Sequence, residues 1–172
     1  MTYKSIDIAN FIVSLGIDAK APVTNLKLQK IMYFLNAAYL VESNQPLIDD
    51  QFSRWAYGPV IESIYAIFKS YGAMSIKAPV PKVSYSENDP FSFKTEPFSE
   101  DIIHKDDRQR IKQMFDVLNN FKAFQLVNLT HEEPLWLDYQ DAIEKYSAPK
   151  YDNNDIRDYF INNELQQIWK PK

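Results

Sequence analysis

The feature that most constrains this chain is a helix that is apolar on nearly every face. From Thr24 to about Glu42, Leu28, Ile31, Met32, Leu35 and Ala38 recur at spacings of three and four, which is one helical stripe. Leu26, Tyr33, Phe34, Tyr39 and Leu40 widen the stripe almost all round. Such a helix must be enclosed by other elements, so it is read as the centre of its domain. With 172 residues, 45% of them apolar, the chain is long enough to enclose it within one domain spanning residues 1–172. Eleven Phe and eleven Tyr mean that rings fill much of that core.

Helical signals surround this centre. A first helix is expected from the N-cap Ser5 to a stop at Gly16, with Ile8, Phe11, Ile12 and Leu15 buried. A third is expected to start at Pro59, carry Ile61, Ile64, Tyr65 and Phe68 inward, and stop at Gly72. From 73 to 98 the helical period lapses, four prolines intervene, and Val83-Ser-Tyr85 and Phe91-Ser-Phe93 alternate, which predicts an extended insert or β-hairpin. Helices resume near Asp106 and over Lys122 to Leu129. Thr130-His-Glu-Glu133 has the spacing of a capping box that opens a further helix, and Asn153 or Asn154 caps a last one carrying Ile156, Tyr159, Phe160 and Ile168. The fold class predicted is mainly α: a compact domain of about six to seven helices with the small insert at 73–98.

Several chemistries are excluded or disfavoured by residue type. Cysteine is absent, which removes disulfides, thiolate nucleophiles and thiolate metal sites. His131-Glu-Glu begins like a zinc-protease helix, but position 135, where the second histidine belongs, is Leu. The other histidine is His104, so neither zinc nor any other cofactor is expected. Three isolated glycines form no phosphate-binding loop, and no nucleophile elbow is present. The net charge is −4 with no lysine or arginine run, which argues against nucleic acid. No apolar run reaches membrane-spanning length and no cleavage site follows the N-terminus, so a cytoplasmic, non-membrane protein is expected.

Three features retain a functional alternative. Lys27 and Lys30, after the turn at Ala21 to Thr24, superficially resemble a helix-turn-helix; two solvated lysines on a core helix is the plainer account. Asp138, Asp141 and Glu144 form a row at spacings of three, which reads as a solvated acidic face, with a magnesium site or a partner surface as the functional alternative. Trp55, Tyr57, Gly58 and Pro59 make a rigid aromatic turn, and sequence leaves open whether its rings are core or interface anchors.

Four linked segments carry a resemblance: Leu26-Lys-Leu28-Gln29-Lys30-Ile-Met-Tyr33-Phe34, then Pro46-Leu47 and Trp55-Ala-Tyr57-Gly58-Pro59-Val60, then Leu129-Thr130-His131-Glu-Glu133-Pro-Leu-Trp136. In this order they are similar to the motifs of the Panacea family, the SocA-like and phage-associated (GepA-type) proteins. One departure is Leu135, inserted between Pro134 and Trp136, which turns the Trp by about 100° on a helix. The resemblance implies an antitoxin rather than an enzyme. Family members neutralise a toxin encoded beside them by direct binding, and at least one acts as an adaptor delivering its toxin to a protease. It also implies that the motif residues are structural or interfacial. The remaining alternatives are a DNA-binding autoregulator, a phage-associated regulator and an uncharacterised hydrolase using His131.

Overall fold

A computed structural model describes residues 1–86 and 89–170, with side chains described outside 85–92. The chain opens with α1 (Ser5–Asp18), followed by the long central α2 (Asn25–Ser43). A short hairpin, β1 (Ser53–Trp55) and β2 (Gly58–Val60), leads into α3 (Glu62–Phe68). The insert is a second antiparallel hairpin, β3 (Lys82–Ser86) and β4 (Asp89–Glu96), as expected. Then come α4 (Lys105–Leu118), α5 (Ala123–Glu132), α6 (Pro134–Leu137), α7 (Gln140–Glu144) and α8 (Asn153–Asn162). The alternation expected at Tyr85 and Phe91 falls on side chains outside the described residues.

As its sequence requires, α2 is the hub. It touches α1, α3, α4, α5, α8 and β2, and Leu28 through Leu40 are all buried. Thr24 caps it by accepting from the Lys27 N–H at 3.2 Å, and Asn44 ends it in the left-handed conformation at φ 55°. The few polar side chains on this helix satisfy backbone groups of the segments wrapped around it. Asn36 Oδ1 accepts from the amides of Leu47 and Ile48, at 2.9 and 3.4 Å. Gln29 Oε1 accepts from Ile61 N at 2.9 Å. Burying these amides is tolerable because each meets a group that would otherwise be stranded.

Five boundaries differ from the sequence reading, each for a local reason. Gly16 lies inside α1, not at its end: a Cβ there would sit 3.2 Å from Pro22 Cα, so glycine serves the close return of the chain. Ser5 does not cap α1 through its side chain; its N–H and hydroxyl both meet Asp49 Oδ1. Pro59 does not start a helix. It pairs with Arg54 in the β1–β2 hairpin, where a missing N–H is harmless on an edge, and α3 begins at Glu62. The chain after Pro134 breaks at Tyr139 into α6 and α7, so eight α-helices stand among the described residues where six to seven were expected. The last helix is capped by Asp152, whose carboxylate accepts from Asn154 N at 2.7 Å.

Candidate partner-binding site

Three of the four motif segments meet in one place. Lys30, on α2, is fully buried and donates from Nζ to the Pro59 carbonyl at 2.8 Å. Tyr33, one turn further on, donates its hydroxyl to Glu133 Oε2 at 2.6 Å. Gly58 sits between them at φ 91°, where a Cβ would lie 2.5 Å from Thr130 Oγ1 and 3.2 Å from Lys30 Cε. Trp136 closes the cluster by donating Nε1–H to the Trp55 carbonyl at 2.9 Å. Leu28 and Val60 are buried as well, at 0% and 4% exposure. The central helix, the hairpin and the α5–α6 corner are thereby locked together.

This corrects two expectations. The lysines of α2 are not free in solvent: Lys30 is interior, and Lys27, half-buried, donates to Asn119 O at 2.7 Å. Both amines are committed to backbone carbonyls, which withdraws the charge that a DNA reading of this helix needed. Thr130 to Glu133 do not form a capping box either. Thr130 is within α5 and donates to the Val127 carbonyl at 2.8 Å, while Glu133 turns inward to Tyr33. Pro134 ends α5's hydrogen bonding after Glu132 and frees Glu133 to make that turn.

Burial sets the protonation of the cluster. Desolvation pushes Glu133 up to about 8, opposed by the Tyr33 hydrogen bond and the Lys30 charge. Desolvation pushes Lys30 down to about 7, opposed by Glu133. Tyr33 is driven well above its ordinary value, first by burial and then by Glu133. The cluster is therefore stocked with groups that resist charging, as an interior frame should be.

His131 stacks on Trp136 with ring centroids 3.7 Å apart and planes 12° from parallel. Burial lowers its pKa, and a hydrogen bond to the Ala56 backbone works the other way. Among the described residues no carboxylate hydrogen-bonds to it, which leaves it without the orienting partner of a general base. No group of three or more His, Asp or Glu among the described residues is placed to hold a metal ion. His104 lies 3.9 Å from Asp106 on an exposed stretch. No helix among the described residues is long and apolar enough to cross a membrane.

Over the outer side of this frame runs a groove of about 1200 Å³, walled by the β1–β2 hairpin, the start of α2, α3 and the N-terminal end of α5. Its lining is mainly apolar. Trp55 and Tyr65 pack edge to face at 4.9 Å along one wall. At the mouth Tyr57 and Phe124 meet edge to face at 6.1 Å, although they are 59% and 60% exposed. Tyr146 stands at the far rim, 99% exposed and held at φ 55°, a conformation that aromatic residues seldom adopt. Arg54 lines the groove at only 5% exposure, its guanidinium between the Tyr139 and Tyr151 rings at 3.9 and 4.2 Å.

Of the residues expected to matter, Trp55, Tyr57, Val60 and Gln29 line this groove, and Glu144 lies on its rim. Asp138, Asp141 and Glu144 are exposed, but they do not form one helical row: α6 ends at Leu137, Asp138 follows it, and only Asp141 and Glu144 share α7. Arg54, Phe124 and Tyr146 escaped the sequence reading, and Tyr65, expected to face inward, is half-buried on the groove wall. Phe124 alone carried a signal, since it lies off the Leu126, Val127 and Thr130 stripe of α5.

A family model described as "Antitoxin SocA-like, Panacea domain" matches residues 28–137. Antitoxin SocA of Caulobacter vibrioides (strain NA1000 / CB15N) is 34% identical over 65 residues, 38% of this chain and 35% of that protein. No solved structure matches the chain at a significant level.

Proposed function

This chain belongs to the antitoxin SocA-like family that carries the Panacea domain. On that premise we propose that it neutralises a partner toxin by binding it directly, in the cytoplasm and without catalysis, with the groove beneath Tyr57 and Phe124 as the contact surface. The observation that carries this reading is the Tyr57–Phe124 pair. Two large rings stay exposed at the mouth of an apolar groove, on a frame held rigid from behind by Lys30, Gly58, Thr130 and Glu133. Exposed aromatics on a preorganised scaffold have the anatomy of a binding hot spot. The groove also exceeds the range of about 300–1,000 Å³ usual for small-molecule sites, which favours a protein segment.

The exposed acidic residues have a separate part. Asp138 and Asp141, with Glu144 at the rim of the groove, steer a toxin with a basic surface toward it. The test is co-expression with the product of the neighbouring gene, read as growth rescue and co-purification. Rescue by the natural chain, lost on Tyr57→Ala/Phe124→Ala with the fold intact, is the expected outcome. Retention of rescue and complex by that double variant would remove the groove from the interface. Delivery to a protease is a further step, recognised by a shortened toxin half-life on co-expression.

A further inference from the structure

The guanidinium of Arg54 is unusual among the charges of this chain. It is almost wholly withdrawn from solvent, at 5% exposure, yet among the described residues it forms no ion pair with any carboxylate. Nε donates to the Leu135 carbonyl at 2.6 Å and Nη1 to the Pro149 carbonyl at 2.7 Å. Its faces are covered by Tyr139 and Tyr151. Nη2 meets no acceptor among the described residues and is not among the fully enclosed polar atoms that lack a partner. Arg54 is also part of the groove lining. A guanidinium cannot be discharged in a protein as a lysine amine can, so a buried one without a counter-charge calls for an anion.

We propose that Arg54 receives a carboxylate from the bound toxin: an Asp or Glu side chain flanked by apolar residues, whose neighbours lie against Trp55, Tyr57 and Phe124. This rests on the groove being the toxin-binding surface. Charge complementarity selects the occupant. Of the two acidic residues in the lining, Glu62 already accepts from Ser53 Oγ at 2.7 Å, and Glu144 is an exposed rim residue. Lys69 and Lys150 stand in the same lining and offset them, leaving the floor cationic in a chain whose net charge is −4. The Tyr139 and Tyr151 rings hold the guanidinium plane still, so the Nη2 N–H groups are set before the partner arrives. The bound segment is thus an acidic residue facing inward, which separates it from any basic surface that the outer carboxylates attract.

The inference is tested on the unaltered protein with capped peptides carrying one glutamate between a phenylalanine and a leucine, compared with the same peptides bearing glutamine or lysine there. Calorimetry gives the affinities, and the NMR signal of the Arg54 Nε–H reports contact. The glutamate peptide should bind at least about tenfold more tightly than the glutamine one and shift that signal. Equal affinities, a preference for lysine, or no binding at millimolar peptide overturns the proposal. Growth rescue with the toxin is read separately. If rescue holds while the peptides fail, only the carboxylate is lost; if the peptides behave as expected and rescue fails, the antitoxin reading falls and the groove chemistry stands.

Discussion

The Tyr33 hydroxyl and the Glu133 carboxylate, a hundred residues apart, are joined by a 2.6 Å hydrogen bond inside the protein. One end belongs to the most buried helix and the other to the corner between α5 and α6, so the bond ties the second half of the chain to the first. Tyr33→Phe leaves Glu133 at 2% exposure without its donor. A loss of about 1.5–3 kcal/mol is expected in urea unfolding. A change below a few tenths would show that the carboxyl finds another partner.

The same carboxyl makes stability depend on pH. Folding raises Glu133 from 4.5 to about 8, so the folded chain holds a proton that the unfolded chain releases over that window. Its contribution is whole at low pH and is lost as pH rises from about 4.5 to 8. Glu133→Gln keeps an acceptor for Tyr33 and removes the titration. The difference between the stability curves of the natural chain and this variant should slope by up to about 1.4 kcal/mol per pH unit there. Parallel curves would place Glu133 in water.

Lys30 acts in the opposite sense over a higher window. Its folded amine releases a proton near 7, whereas the unfolded one holds it to 10.5, so stability increases as pH rises between those values. Lys30→Met should therefore flatten the natural rise in stability between pH 8 and 10, measured by denaturant midpoint.

Gly58 has the most constrained backbone of the motif. Gly58→Ala places a methyl 2.5 Å from Thr130 Oγ1 at φ 91°. The expected cost is about 2–5 kcal/mol, combining strain and overpacking. Thr130→Ala removes the nearer obstacle, so the double variant should recover part of that loss; strictly additive energies in the cycle would dissociate the two residues.

Reversing the outer charges tests a different property. Asp138→Lys/Asp141→Lys/Glu144→Lys should leave the melting temperature nearly unchanged, since all three are exposed. Association with the toxin should slow by about tenfold at low salt and converge on the natural rate at high salt. Stopped-flow rates that ignore both charge and salt would remove these residues from steering.

The packing of α1 and α2 was legible in sequence because apolar spacing records which face is buried, and Leu28, Ile31 and Leu35 lie where their period placed them. Lys30 was misread for a physical reason. A lysine signals solvent unless an acceptor is supplied to it, and the Pro59 carbonyl comes from a hairpin 29 residues away. Thr130 and Glu133 show the same limit. Their spacing fits a cap, but Pro134 and the distant Tyr33 decide that the carboxyl points inward. The groove was least legible. Trp55, Tyr65, Phe124 and Tyr146 come from four separate stretches, and no local pattern foretells that a fold will bring them to one groove. Arg54 carried no periodic signal, because its worth lies in the carboxylate it lacks.

The interlocking of Lys30, Tyr33, Gly58, Thr130 and Glu133 has a consequence for kinship. The signature by which this lineage is recognised is written largely on the inside, in side chains that hold the walls upright. In the proposed function, what meets a toxin is carried by residues that look outward, Tyr57 of the motif itself together with Phe124 and Tyr146. Selection can therefore redraw the face while the frame stands. Two descendants can keep every interior letter and differ wholly in the poison they restrain.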